Sequence, residues 1–383
     1  MGQKAVIVGV GIHRFGRFPE KSPEELGRDA VAMALEDANM EFKDVQAMFL
    51  SNSGTMYPGI GPKTAFMFGR TTIPIVNLEA ACSGGGACLR MAQMAIGQGE
   101  YDIVLAVGVE KQPRGFLAPA ISGYEPWQAL SGLDENPMFW ALRARRHMKD
   151  YGTTLEQIAM VSVKNHRIGA MNPNAMYQKS ISLEEVLSSR VVCDPLTLYM
   201  FCAPNDGAAA ILLCSEKVAK KYSRKTVQLA ACAHRLSMYP EMDVGNYFGY
   251  KTKDFKEVSM IAALEAYEKS GVSPEELSFV ELQDTDASGE IILSEQLLLC
   301  KEGEGGRMVE EGITDLGGKL PISTDGGIIS KGEPVGASAL GQIYEAVKQL
   351  RGEAGPRQVK NAKVGLCHVR GALGHSCVTI LKK

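Results

Sequence analysis

Short apolar β-type runs alternate with amphipathic helical segments along most of this 383-residue chain. This alternation is typical of α/β folds with a largely parallel sheet, because a helix must carry the chain back between parallel strands. The predicted strands are residues 5–10, 45–50, 101–107, 208–214, 227–234, 279–282, 363–369 and 377–381. The predicted helices are residues 23–39, 82–97, 155–168, 183–188, 258–270, 287–300 and 337–350.

The same order of elements occurs twice. Residues 30–50 run from a helix through an acidic loop into a strand, and residues 261–282 do the same. Residues 82–107 and 333–369 each run from a turn of small residues through a helix into a strand. The two occurrences lie about 230–260 residues apart, which predicts two similar halves, although any α/β chain repeats the order of helix and strand to some extent.

The two predicted halves are residues 1–118 and 223–383, and the segment between them has a different composition. Residues 117–202 contain both tryptophans of the chain, several Met and Tyr residues, and mixed helix and loop signals. An insertion this long in a compact domain usually serves the function.

Charge and cysteine usage exclude several classes of protein. The chain has 41 Lys and Arg against 44 Asp and Glu, a net charge of −3, and no basic block, which argues against nucleic-acid binding. The sequence shows neither a signal-peptide pattern nor an apolar run of the ~18 residues that span a bilayer, so we expect a cytoplasmic protein. The nine cysteines are scattered without a CxxC pair, which predicts neither a disulfide framework nor a zinc ribbon.

Cys82 is the strongest candidate for a reactive residue. It follows a strand-like run and begins a predicted helix, and a serine and three glycines come directly after it. Unpaired N–H groups and the dipole at a helix start stabilise a thiolate, so this position favours a nucleophile. The alternative is that Cys82 is a buried cysteine in a glycine turn. We expect Cys88, further along the same helix, to lie in the core.

Two further segments carry weaker signals. Glu333 lies in a glycine-rich loop before a predicted helix, where a lone carboxylate is usually solvated. His368 follows an apolar strand and is a candidate general base. Metal binding by Cys367 and His368 lacks partners at a suitable spacing. The histidines that we interpret as structural or exposed are His13, His147, His166 and His234.

Six segments follow one another in an order known from a protein family. They read NLEAACSGGGACLRMAQMAIGQGEYDIVLAVGVEK, DYGTTLEQIAMVSVKNHRIGAMNPNAMY, SRVVCDPLTLYMFCAPNDGAAAILLCSE, VELQDTD, GGIISKGEPVGASALGQI and HVRGALG. With these segments the chain resembles the thiolase superfamily, and within it the sterol-carrier-protein-type (lipid-transfer-type) thiolases. The resemblance covers essentially the whole chain.

The resemblance implies an αβαβα five-layered sandwich of two similar halves, each with a five-stranded mixed sheet. Residues 1–118 plus 201–222 would form the N-terminal half, and residues 223–383 the C-terminal half. Residues 119–200 would be an inserted loop domain that helps to bind coenzyme A. Thiolases are dimers or tetramers that cleave or form a carbon–carbon bond in 3-oxoacyl-CoA thioesters.

The resemblance also implies roles for individual residues. Cys82 matches the acylated nucleophile, and His368 matches the position that protonates or deprotonates the α-carbon. The backbone of the loop from His368 to Gly371, including Arg370, would form the oxyanion hole together with the Cys82 N–H.

Two segments depart from the family pattern. Its Gly-His-Pro motif reads Gly332-Glu333-Pro334 here, and its His-Asp-Cys-Phe (or Asn-Glu-Ala-Phe) segment begins with Gln283. The Gln283 amide still donates a hydrogen bond. Glu333 takes the thiol proton as a carboxylate, or donates to the oxyanion when protonated, and burial beside a thiol raises its pKa.

The resemblance implies coenzyme A as a substrate, no metal in this chain, a homodimer or larger assembly, and a small zinc-ribbon/OB-fold partner subunit. The changed histidine suggests a bulky aromatic or dicarboxylic substrate, such as benzoylsuccinyl-CoA from anaerobic aromatic degradation, which would give benzoyl-CoA and succinyl-CoA. Two alternatives stay open: a non-catalytic scaffold or acyl-CoA-binding subunit, and a condensing enzyme similar to hydroxymethylglutaryl-CoA synthase.

Overall fold

The computed structural model describes residues 3–53, 57–115, 127, 130, 136–222, 225–237 and 256–383. Its strands are β1 Ala5–Gly16, β2 Ala47–Ser51, β3 Ile75–Leu78, β4 Ile103–Glu110, β5 Val191–Cys193, β6 Leu196–Thr197, β7 Asp206–Ser215, β8 Val227–Leu236, β9 Phe279–Glu281, β10 Val364–Arg370 and β11 His375–Lys382. Its helices are α1 Pro23–Ala38, α2 Ile60–Phe66, α3 Gly84–Gln98, α4 Asn136–Tyr151, α5 Leu155–Gly169, α6 Leu183–Ser188, α7 Glu216–Ala219, α8 Val258–Ser270, α9 Ala287–Gln296, α10 Gly305–Glu310, α11 Gly327–Lys331 and α12 Ser338–Arg351.

The described strands other than β5 and β6 form one mixed nine-stranded sheet in the order β3-β2-β4-β7-β1-β8-β11-β10-β9. From β3 to β1 the pairings are parallel, parallel, antiparallel and antiparallel. From the other edge, β9 pairs in parallel with β10, and then β10, β11 and β8 pair antiparallel. A parallel bridge between Val280 and Ile322 lies where β3 lies in the first half. The repeat of pairing confirms the predicted duplication, and the halves meet where β1 pairs with β8.

Three apolar cores separate five layers. One core holds α1 against the outer face of the first half of the sheet, with Ala30 packed near Leu212. In the middle, α3 and α12 lie between the halves, and Leu89 and Leu340 share one core with strands of both. On the far side α8 covers the second half, where Ala266 joins its core. The described elements therefore confirm the predicted αβαβα sandwich.

The segment between the halves packs as a small helical unit on the C-terminal half. Helices α4, α5 and α6 share an apolar core with α9 and α11, as the contacts of Ile158 with the cluster around Ile291 illustrate. Buried polar contacts reinforce this packing: Lys164 lies 2.5 Å from Glu290, and the Asn165 amide donates to Asp284 at 2.5 Å. The insertion is thus fixed to the half that carries β9.

Some elements differ from their predicted bounds. The helix predicted from residue 82 begins at Gly84, after a 3₁₀ turn over Ala81–Ser83, and the helix predicted to residue 300 ends at Gln296. Helix α4 was not predicted, because its many charged side chains leave a narrow apolar face. Of the predicted loop domain, residues 119–126, 128–129 and 131–135 lie outside the described residues, as do the boundaries at 118 and 223.

Among the described residues, none of the helices combines the length and the apolar character that crossing a lipid bilayer requires.

Candidate active site

Cys82 lies in the 3₁₀ turn that leads from β3 into α3, and its side chain is only 7% exposed. Ala81 has φ = 48°, a left-handed conformation that is costly for a residue with a Cβ atom. The Ser83 N–H and hydroxyl both donate to the Ala80 carbonyl, at 3.1 and 2.9 Å. The turn that presents the thiol is therefore strained but firmly held.

The carboxyl of Glu333 is the centre of a buried hydrogen-bond cluster. Glu333 is 4% exposed, and the Cys82 thiol lies beside it, close enough for the charge of the carboxyl to act on the thiol. The Cys202 thiol donates to its Oε2 at 2.9 Å, and the Gln283 amide donates to its Oε1. The structure therefore brings together three of the four predicted side chains, and it adds Cys202.

The loop that carries Glu333 is fixed by its backbone. Gly332 has φ = 104°, and a Cβ atom there would lie 1.7 Å from the side-chain nitrogen of Asn205. The Glu333 N–H donates to the Ala203 carbonyl at 3.2 Å, and the Asn205 N–H donates to the Glu333 carbonyl at 3.3 Å. The residue after Cys202 therefore pairs directly with Glu333, which keeps the second thiol at the carboxyl.

The electrostatics of the thiol differ from the sequence prediction. Burial raises the pKa of Cys82 well above its usual value, and the nearby charge of Glu333 raises it further. The backbone amide of Cys82 opposes these effects without overcoming them. Burial and the charge of Glu333 therefore oppose the thiolate that the helix start is expected to stabilise, and the role of Cys82 as the nucleophile stays a prediction.

Glu333 has a raised pKa for a related reason. Burial is the largest cause, and the hydrogen bonds from Cys202, Cys82 and Gln283 oppose it because they stabilise the anion. The direction agrees with the sequence expectation for a carboxyl beside a thiol. A raised pKa suits a group that takes up and releases a proton near neutral pH.

A second buried carboxyl group, that of Glu110 at the end of β4, holds together two segments next to the site. The Asn52 amide donates to its Oε1 at 2.9 Å, and the N–H groups of Ser53 and Gly336 donate to its Oε2 at 3.0 Å each. Glu110 thus joins the loop after β2 to the segment between Glu333 and α12. Its charge also contributes to the raised pKa of Cys82.

His368, the fourth predicted side chain, does not join this cluster. Its Nε2 lies 2.9 Å from the Ser259 hydroxyl on α8 and 3.3 Å from the Ser376 hydroxyl. Val369, the next residue of β10, packs with Cys82, and successive side chains of a strand point to opposite faces. The ring is fully buried, and burial lowers its pKa to about 3. Its role at the α-carbon stays a prediction.

The loop predicted to form the oxyanion hole passes beside the nucleophile turn. A Cβ atom at Gly371 would lie 2.7 Å from the Ala80 carbonyl oxygen, so only glycine fits there. The Gly371 N–H donates to the His375 carbonyl at 2.8 Å. Arg370 is buried, with Nη1 3.6 Å from Glu257. The oxyanion role of Arg370 and Gly371 stays a prediction.

Sequence reasoning missed Cys202 and Glu110. Cys202 stands in one of the segments that carry the family resemblance, but its spacing from Glu333 along the chain gives no sign of contact. Glu110 lies three residues beyond the strand predicted over residues 101–107 and ends the observed strand β4, so a charged residue directly after an apolar run was the available signal.

Two sequence models of one family match most of the chain. The model "Thiolase, N-terminal domain" matches residues 5–217, and the model "Thiolase C-terminal domain-like" matches residues 251–383.

Relatives from distant organisms are similar along nearly the full length. An acetyl-CoA acetyltransferase of Methanothermobacter thermautotrophicus is 36% identical, with 96% of each chain covered. The benzoylsuccinyl-CoA thiolase subunit BbsB of Thauera aromatica is 35% identical over 96% of this chain and 95% of its own. Sterol carrier protein 2 of Oryctolagus cuniculus is 35% identical over 99% of this chain and 72% of its own length.

Among solved structures, a chain of the "Ltp2-ChsH2(DUF35) aldolase" superimposes with a TM-score of 0.86 at 23% identity, covering 100% of this chain and 98% of that one. This likeness concerns the fold. The matched family models and the relatives above 30% identity settle the family, and with it the class of reaction. The chain belongs to the thiolase family and is an acyltransferase.

Proposed function

We propose that this chain is a thiolase that cleaves a 3-oxoacyl-CoA with coenzyme A through an acyl-enzyme on Cys82. The observation that carries the proposal is the buried Cys82 thiol, presented in a strained turn beside the Glu333 carboxyl, whose charge acts on it. A nucleophile beside a base, with the base oriented by a third group, is the general arrangement for covalent acyl transfer. Gln283 is that third group, because its amide holds Oε1 of Glu333.

In the proposed first step the Cys82 sulfur attacks the 3-oxo carbon while its proton moves to Glu333. A raised thiol pKa means that little thiolate is present beforehand, so the base acts during the attack. The new carbon–sulfur bond is completed as the bond between C2 and C3 breaks and its electron pair becomes an enolate. Coenzyme A then attacks the thioester and releases the acyl group.

A bulky aromatic or dicarboxylic substrate is our finer proposal, with benzoylsuccinyl-CoA giving benzoyl-CoA and succinyl-CoA in anaerobic aromatic degradation. The similarity to BbsB supports it. The equally similar acetyl-CoA acetyltransferase favours acetyl transfer as the second candidate. Glu333 replaces the histidine expected from the family pattern, which is consistent with a substrate other than simple acetoacetyl-CoA.

We further propose a homodimeric core and a small zinc-ribbon/OB-fold partner chain. The word "subunit" in the name of BbsB and the two components, Ltp2 and ChsH2(DUF35), in the name of the aldolase support the partner. All nine cysteines lie in the described part of the chain and are free thiols, which suits a reducing compartment such as the cytoplasm. The domain bounds 1–118 plus 201–222, 119–200 and 223–383 are part of this proposal.

Intact-mass spectrometry tests the proposed function. The purified protein is mixed with acetoacetyl-CoA, longer 3-oxoacyl-CoAs and benzoylsuccinyl-CoA, beside the variants Cys82→Ala and Cys214→Ala. We expect an acyl adduct on the wild type and on Cys214→Ala, whose cysteine lies in the outer apolar core. We expect none on Cys82→Ala, and the added mass identifies the acyl group.

Three results would count against this proposal. An adduct that survives Cys82→Ala would place the chemistry elsewhere. A wild-type protein without any adduct, even together with a co-purified partner, would favour the scaffold or acyl-CoA-binding alternative. Condensation of acetyl units without free coenzyme A as acceptor would instead indicate an enzyme similar to hydroxymethylglutaryl-CoA synthase.

A further inference from the structure

Two thiols share one buried carboxyl in this structure, and the proposed acyl-enzyme uses only one of them. Cys202 is 8% exposed, and its sulfur lies 2.9 Å from Oε2 of Glu333. Its backbone N–H donates to the Thr285 carbonyl at 2.9 Å, which places it between the segments that carry Gln283 and Glu333. Both segments thus hold this thiol at the carboxyl.

The carboxyl of Glu333 is enclosed by its donors. The Gln283 amide occupies Oε1, and the thiols of Cys202 and Cys82 lie at the same carboxyl. A proton on Glu333 therefore reaches a substrate through one of the two sulfur atoms. Once Cys82 carries the acyl group, its sulfur holds no proton, and the Cys202 sulfur remains.

The alternative acid, His368, lies on the face of β10 that points away from Cys82. Its ring contacts Ser259 and Ser376, whereas the neighbouring Val369 packs with Cys82. Gln283 has no proton to give near neutral pH, because its side chain is an amide. Cys202 is therefore the group in this cluster that is able to deliver a proton.

We propose that Cys202 is the catalytic acid that protonates the α-carbon of the departing enolate, with Glu333 returning the proton to it. This inference rests on the proposed thiolase function. In the reverse direction the Cys202 thiolate removes the α-proton, and Glu333 accepts a proton in turn.

The proton balance closes without an outside donor. The Cys82 proton moves to Glu333 when sulfur attacks the 3-oxo carbon. As the C2–C3 bond breaks, the enolate carbon takes the proton of Cys202 and forms a C–H bond. The Cys202 thiolate then recovers the proton from Glu333. One proton has moved from Cys82 to the α-carbon, and both Glu333 and Cys202 return to their initial states.

Hydrogen exchange at the α-carbon tests the proposal apart from acylation. The protein is incubated in D₂O with acetyl-CoA, and with benzoyl-CoA and succinyl-CoA together in a second arm, and deuterium at C2 of acetyl-CoA or succinyl-CoA is followed by mass spectrometry. Acylation of Cys82 is measured on the same samples by intact mass. The variants are Cys202→Ala, Cys202→Ser and the control Cys214→Ala.

We expect both Cys202 variants to lose exchange by at least about 10²-fold, the usual contribution of a general acid or base, while Cys82 is still acylated. The serine hydroxyl keeps a hydrogen bond to Glu333 but is too weak an acid to replace the thiol. Cys214→Ala should match the wild type in both measurements.

Three results would overturn the inference. Exchange within tenfold of the wild type in Cys202→Ser would mean that the side chain only orients Glu333. Loss of Cys82 acylation in both Cys202 variants would mean that the thiol serves the nucleophile instead. A wild-type enzyme that is acylated but exchanges no α-hydrogen would exclude the step itself. Failure of wild-type acylation would instead reject the proposed function.

Discussion

The carboxyl of Glu333 accepts hydrogen bonds from Cys202 and Gln283, lies beside the Cys82 thiol and has little contact with solvent. At the scale of single residues, this cluster is where a proton moves most easily. Burial raises the pKa values of Glu333 and of Cys82, so the sulfur rests as a neutral thiol and needs the ionised form of Glu333 to take its proton during the attack. The chemistry thus depends on the pair rather than on the thiol alone.

Glu333→Gln removes the base and keeps the size of the side chain. We expect the rate of Cys82 acylation to fall by about 10²–10⁴-fold, the usual contribution of a general base. The control Glu268→Gln changes an exposed carboxylate of α8 and should leave the rate unchanged. Stopped-flow or quenched intact-mass measurements give the rates.

The acylation rate of the wild-type protein should also depend on pH, in a direction that the pKa of Glu333 determines. Glu333 accepts the proton only when ionised, so acylation should rise with pH through its raised pKa. This rise of the acylation rate with pH should be absent in Glu333→Gln. If Glu333→Gln kept both the acylation rate of the wild type and its rise with pH, another group would be the base.

His368 should make stability depend on pH. Its pKa is about 3 in the folded protein and about 6.5 when unfolded, so between these values only the unfolded chain takes up the proton. Stability is therefore lost as pH falls from 6.5 toward 3, by about 2 kcal/mol at pH 5. His368→Gln lacks this loss. Urea unfolding at pH 7 and pH 5 measures the difference, and equal losses in both proteins would contradict a buried neutral ring.

At the scale of elements, local patterns predicted the strands and helices that build the sheet. Short apolar runs marked β1, β4 and β7, and at the start of α1 both hydrogen bonds of a capping box between Ser22 and Glu25 form. The polar helix α4 escaped prediction because its buried face is formed by few residues. Short elements such as β3 take their conformation from the neighbouring strand rather than from their own sequence.

A substitution at Gly332 tests how the conformation of the loop before α12 affects stability and acylation. Gly332→Ala combines a positive φ with a Cβ atom 1.7 Å from the side-chain nitrogen of the buried Asn205, so the Asn205 side chain or the loop must shift. We expect a loss of about 1–3 kcal/mol in unfolding free energy and slower acylation of Cys82, because Glu333 moves with the loop. Chemical unfolding and intact-mass rates measure both effects.

Gly312→Ala is the matched control for this change. Gly312 also has a positive φ of 69°, but a Cβ atom there meets open space. We expect a smaller loss of stability, about 1 kcal/mol, and unchanged acylation. If both variants behaved alike, backbone strain alone would explain the effect and the packing of Asn205 would not matter.

At the scale of the whole molecule, the two halves meet through β1 and β8 and enclose α3 and α12 between them. The repeated order of segments in the sequence predicted two similar halves, and the layered architecture came from the family resemblance. The site was only partly predictable, because residues such as Cys202 and Glu333 lie 131 positions apart and meet only in the folded chain. The motifs indicated Cys82, Glu333 and Gln283, but no local signal reported the second thiol.

The attachment of the insertion to the C-terminal half rests on a buried ion pair. Lys164 is 6% exposed and lies 2.5 Å from Glu290. Lys164→Met leaves Glu290 buried without its cation, which should cost about 3–5 kcal/mol. Lys179→Met, which breaks an exposed pair with Glu185, should change stability by less than about 1 kcal/mol. Similar losses in both variants would show that burial does not decide the value of the pair.

Acylation of Cys82 and discharge of the acyl group to coenzyme A can be followed in one experiment. The protein is acylated with a 3-oxoacyl-CoA, digested and mapped by mass spectrometry, and a second sample receives coenzyme A first. We predict an acyl group on Cys82, and its complete discharge as acyl-CoA in the second sample. An acyl group on another cysteine, or one on Cys82 that coenzyme A does not remove, would contradict the account.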